Sequence, residues 1–64
     1  MTSILCIVNT GAGPRPSVKK IDDPMKINYQ WLVKQFPNAQ TIKATWYTGT
    51  AHKNELYCEE PIKN

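Results

Sequence analysis

The chain has 64 residues, 41% of them hydrophobic, with eight basic and five acidic side chains and a net charge of +3. A chain this short holds one domain, 1–64, and buries only about 60% of the surface its unfolded form exposes, so its stability margin is small. The charge balance falls short of the dense Lys/Arg patch of a strong nucleic-acid binder. Two cysteines allow one disulfide at most, and no pattern points to a metal centre or any other cofactor.

The chain opens on MTSILCIVN, without a basic leader, and its apolar run Ile4–Val8 is far too short for a signal segment or a membrane span. The expectation is a cytoplasmic protein with reduced thiols and no membrane partner. Ser3–Asn9 reads as a strand, apolar on both sides: Ile4, Cys6 and Val8 on one, Leu5 and Ile7 on the other. Such a strand belongs in the centre of its sheet, or has its second face covered by a partner.

Thr10–Pro16, TGAGPRP, reads as a loop because of its glycines and prolines. It lacks the phosphate-binding GxxxxGK[ST] pattern, so a plain connector is the reading. Arg15, the one arginine, is the candidate anchor there for a carboxylate or phosphate, since its fork bonds two oxygens at once. Ser17–Ile21 alternates weakly and reads as a short edge strand guarded by Lys19 and Lys20, or as an extended arm.

Asp23–Pro37 carries the signals of the single helix. Asp23 is a suitable N-cap, Pro24 suits the first helical position, Lys34 suits the last turn, and Pro37 stops the rod. Met25, Tyr29, Leu32 and Phe36 follow a 4-3-4 spacing, with Val33 beside them, and form the expected core stripe. Ile27 and Trp31 fall opposite that stripe and are expected to face away from the sheet. A partner covering Trp31 is one reading, and the loop 10–16 folding over it is the other.

Thr41–Thr48 is the clearest strand, with Ile42, Ala44 and Trp46 on one face and Lys43, Thr45 and Tyr47 on the other. Gly49–Asn54 reads as a hairpin loop, Glu55–Glu60 as the returning strand, and 61–64 as a flexible tail. The fold class is α+β: one helix packed on a three- or four-stranded, mostly antiparallel sheet, in the order β-(β)-α-β-β. A right-handed crossover from the first strand would set it parallel to Thr41–Thr48.

Three functional classes fit these residues. The first is a protein-binding module, of the accessory or inhibitor type that phages and plasmids carry, occluding a larger protein or pairing with itself. Its expected contacts are Ile27, Trp31, Arg15, Tyr47, Tyr57 and Lys43. The alternative is nucleic-acid binding, with Tyr47 and Tyr57 stacking bases and Lys43 meeting phosphate, opposed by Glu55, Glu59 and Glu60. The third is a small ribonuclease using His52 as base beside Lys53, flanked by the two tyrosines. It lacks a second acid–base group at a telling spacing, so no catalytic residue is assigned. Cys6 and Cys58 read as buried free thiols, able to meet only if their strands are neighbours.

Overall fold

The computed structural model describes residues 1–49 and 52–59. Four strands of eight residues each, β1 (Thr2–Asn9), β2 (Pro14–Ile21), β3 (Thr41–Thr48) and β4 (His52–Glu59), form one sheet in the order β2-β1-β3-β4. Every neighbouring pair is antiparallel. One α-helix, α1 (Tyr29–Gln35), follows a 3₁₀ turn at Pro24–Lys26. The chain is thus α+β, with β1 an interior strand paired on both edges.

The β1–β2 hairpin is longer than the glycines and prolines imply. The loop shrinks to Thr10–Gly13, and Pro14 and Pro16 lie within β2, paired with Asn9 and Ile7. An edge strand accepts proline because a nitrogen facing solvent has no ladder bond to lose. Gly11 and Gly13 turn the chain with φ of 98° and 101°, in the left-handed region that glycine enters without a Cβ clash. Asn9 Oδ1 accepts from the Gly11 amide at 2.8 Å and fixes the start of the turn.

This full-length β2 corrects the expected strand directions. Since β2 and β3 both run antiparallel to β1, they run parallel to each other, and β1 lies between them. The helical crossover therefore leaves from β2, so β1 and β3 are antiparallel neighbours rather than parallel ones.

The helix is also shorter and differently phased than the sequence implies. Asp23 caps only the 3₁₀ turn, its Oδ1 accepting from the Met25 amide at 3.0 Å. Ile27 and Asn28 are then extended, and Asn28 starts α1 by accepting from the Trp31 amide at 2.8 Å. Breaking the rod at Ile27 and Asn28 rotates everything upstream out of the helical phase. Met25 ends 91% exposed and Tyr29 is exposed, whereas Ile27 is only 9% exposed and joins the core.

The core lies between α1 and one face of the sheet. Ile4, Cys6, Val8, Ile42, Ala44 and Cys58 come from the strands, and Ile27, Leu32 and Ala39 from the crossover. Ile21, Trp31, Phe36, Trp46 and Leu56 pack around them. Lys19 on β2 lies over the Phe36 ring, 5.3 Å from its centroid, a cation–π contact that also covers the core margin. Cys6 and Cys58 are buried and free. With β3 between their strands, two ladder spacings of about 4.8 Å separate them, beyond the reach of a disulfide.

β4 begins at His52, earlier than the expected Glu55, and pairs with β3 from Thr48↔His52 to Thr41↔Glu59. Asn54 Nδ2 donates to Thr48 Oγ1 at 3.0 Å and ties the hairpin end. The expected end of the last strand at Glu60 and the tail 61–64 lie outside the described residues.

Candidate functional site

A sheet has two faces, and α1 covers only one. Alternation along each strand places Ile4, Cys6, Val8, Ile42, Ala44 and Cys58 beneath the helix, so their alternate neighbours point the other way. The ladder pairs order that second face into cross-strand rows. One row holds Val18, Leu5, Thr45 and Glu55, and the next holds Pro16, Ile7, Lys43 and Tyr57. Toward one end lie the pairs Lys20–Ser3 and Tyr47–Lys53; toward the other lie Pro14, Asn9, Thr41 and Glu59.

The middle of this face is apolar and wet. Leu5 is 45% exposed, Val18 62%, Tyr47 62% and Tyr57 53%. A shallow groove runs across it, floored by Leu5, Ile7 and Val18 and rimmed by Lys43, Tyr47 and Lys53. β-Branched and aliphatic side chains at these positions follow from strand propensity, but none of the described residues lies over them.

Its charges are of both signs. Lys20, Lys43 and Lys53 face Glu55 and Glu59 on the same surface. Lys53 Nζ and Glu55 Oε1 are 3.0 Å apart. Their hydrogen bond, reinforced by their mutual attraction, raises the lysine pKa and lowers the glutamate pKa. Both side chains are about half exposed, so the pair orients side chains more than it stabilises the fold.

Of the residues expected to bind, Tyr47, Tyr57 and Lys43 come together here. Lys43 lies directly across from Tyr57, and Lys53 across from Tyr47. Arg15 does not join them: it is exposed on β2 opposite Val8, with helix-side parity, rather than on a loop. Ile27 is in the core and Trp31 packs against it, so the expected second apolar helix face is not formed. Leu5, Ile7 and Val18 were the missing members. The signal for Leu5 and Ile7 was the double-sided apolarity of β1, which a single helix cannot cover; Val18 lies on β2, where the weak alternation of 17–21 gave none.

His52 lies in β4 rather than in a loop. It pairs with Thr48 and shares the parity of Asn54, Leu56 and Cys58. Lys53, Tyr57 and Tyr47 therefore point to the opposite face, and the expected histidine–lysine–tyrosine grouping is dispersed. Among the described residues no three of His, Cys, Asp or Glu cluster to hold a metal. No helix among them is long and apolar enough to cross a membrane. No family model matches the chain, and no significant match was found to a curated protein or a solved structure.

Proposed function

We propose that this chain is a protein-binding module whose docking surface is the helix-free face of its sheet. The observation that carries the reading is the set of exposed apolar side chains on that face: Leu5, Val18, Tyr47 and Tyr57 are each about half exposed or more. An open apolar patch of this kind on so small a chain costs solubility unless something covers it. Tyrosines combine apolar area with a hydroxyl for hydrogen bonding, which suits them to contact surfaces. A module of this design acts by occupying a surface, and needs no catalytic group.

The test compares protein capture by the wild type, Val18→Glu and Met25→Glu. Val18 lies on the proposed surface, whereas Met25, even more accessible at 91% against 62%, lies in the 3₁₀ turn away from it. Val18→Glu is expected to lose interactions that Met25→Glu retains, and direct titration of the purified components is expected to repeat the difference. Equal binding by all three proteins ends the reading.

A second reading, single-stranded nucleic acid, draws on the two Lys–Tyr pairs, Lys43–Tyr57 and Tyr47–Lys53. Tyrosine would stack a base and lysine would meet its phosphate. Glu55 and Glu59 on the same face oppose it. Binding of this kind falls steeply with salt, so the absence of any shift of labelled oligonucleotide at low salt disposes of it.

A further inference from the structure

We propose that the occupant of the helix-free face is a second copy of this chain, stacked sheet on sheet about a two-fold axis perpendicular to the strands. The proposal rests on reading that face as a protein-docking surface, and adds the identity of what docks. It follows from the order of side chains across the face, because a two-fold interface must be complementary to itself.

Rotation about that axis keeps each strand over its own counterpart and reverses the order of the rows. With the axis between the Leu5 row and the Ile7 row, Leu5 meets Ile7 of the second copy, and Val18 meets Pro16 of the second copy. The apolar centre is thereby closed on apolar groups twice over. At one margin Lys53 meets Glu59 of the second copy, and Glu55 comes beneath the Tyr57 hydroxyl of the second copy. Lys43 falls over Thr45 of the second copy and Lys20 over Pro14 of the second copy, so no two lysines are brought together. The other in-plane axis, along the strands, sets Lys20 against Lys53 and Val18 against Glu55, and is rejected. The accepted arrangement is the aligned packing of a β-sandwich, with sheets about 10 Å apart and strands rotated by about 30°.

Near-balanced charge also favours a copy over a polyanion: three lysines and two glutamates share the face. Four strands at about 4.8 Å and eight residues at about 3.3 Å give a footprint of roughly 500 Å² per copy, or about 1,000 Å² in total. That is the lower bound for a specific interface, so the dimer is a dissociating one, expected to half-form at roughly 10–500 μM.

Sedimentation of the full chain tests this. The mass is expected to rise from the 7.3 kDa of one copy toward twice that value with concentration. Val18→Glu is expected to weaken association by about tenfold or more, because it places a carboxylate against the apolar centre. Circular dichroism checks that this exposed edge-strand variant folds. Lys53→Glu and Glu59→Lys are each expected to weaken association by about three- to tenfold, and the double exchange to restore it. Within one copy these residues are six apart on one strand, about 20 Å, so rescue reports contact between copies. A one-copy mass at about 1 mM overturns the proposal, as does a dimer indifferent to Val18→Glu, which would pair through another surface such as the β4 edge. A one-copy mass with Val18-dependent binding of a different protein overturns the dimer alone and leaves the docking reading standing. A one-copy mass with neither effect removes both.

Discussion

Leu32 and Ile42 have no solvent-exposed surface and both belong to the core between the crossover and the sheet. Truncating either to alanine leaves a cavity that a 64-residue chain has little surrounding structure to close. Leu32→Ala is expected to lower stability by about 2–5 kcal/mol, read from the urea midpoint, which is a large part of what a domain this small has. The thiols give a pH-dependent counterpart. Burial pushes the Cys6 thiol above its ordinary 9.0, partly offset by Lys19, and burial raises Cys58 as well. Because the folded values lie above the unfolded one, the contribution is fully present below pH 9.0 and is lost as pH rises through the raised folded values. Replacing both cysteines by alanine is expected to flatten the fall in urea midpoint between about pH 8.5 and pH 10. An unchanged fall would assign the alkaline loss to the tyrosines and lysines.

At the scale of the element, the informative place is the break between the 3₁₀ turn and α1. Two capping residues follow each other, Asp23 and Asn28, and each satisfies an amide of its own short segment. Sequence signals favour the first, because Asp-Pro is a strong start, and the regular 4-3-4 spacing of Met25, Tyr29, Leu32 and Phe36 carries the expected helix straight through Asn28. Packing decided otherwise. Five residues of extended or 3₁₀ chain let Ile27 drop into the core, and only Leu32, Phe36 and Trp31 keep helical phase toward the sheet. Asn28→Ala is expected to cost about 1 kcal/mol and Asn28→Asp almost nothing, whereas alanine at Asp23 should matter less because it caps a single turn. Thermal melts of the three variants check the ranking. An equal or larger effect at Asp23 would mean that the helix continues upstream.

The strands teach a complementary lesson. Alternation placed β3 and the inward residues of β1 correctly, because period two is fixed by the pleat itself. It could not show that β2 runs from Pro14, since proline reads as a breaker unless the strand is known to lie at an edge. Edge position is a property of the assembled sheet. Gly13 shows the same dependence: its φ of 101° belongs to the hairpin that β2 completes. Gly13→Ala is expected to cost about 1 kcal/mol or more, measured by denaturant melt, although no atom lies near enough to clash with the new methyl.

On the scale of the whole molecule, one helix and four strands leave an imbalance. A single seven-residue helix covers one face of a sheet that has two. The remaining face carries Leu5, Ile7, Val18, Tyr47 and Tyr57 among mixed charges. Val18 sits 62% exposed on an edge strand, so Val18→Glu is expected to change folding stability by no more than about 0.5 kcal/mol while it disrupts docking. Because lysines and glutamates nearly balance there, docking is expected to change little between low and moderate salt, the opposite of a phosphate-driven contact. A steep salt dependence would turn the surface into a nucleic-acid face.

By itself the sequence determined the class of fold, the two-sided apolarity of the Ser3–Asn9 strand, and an excess of apolar side chains for so short a chain. Those follow from length and from local periodicity, which neighbours along the chain impose directly. Only the tertiary structure decided where the excess lies. Ile27 enters the core and Trp31 packs against its margin, the helix breaking at Asn28, and the surplus emerges on the sheet face that α1 leaves open. Which residues share a face depends on strand register and crossover direction, and both are set by contacts between segments far apart in the chain.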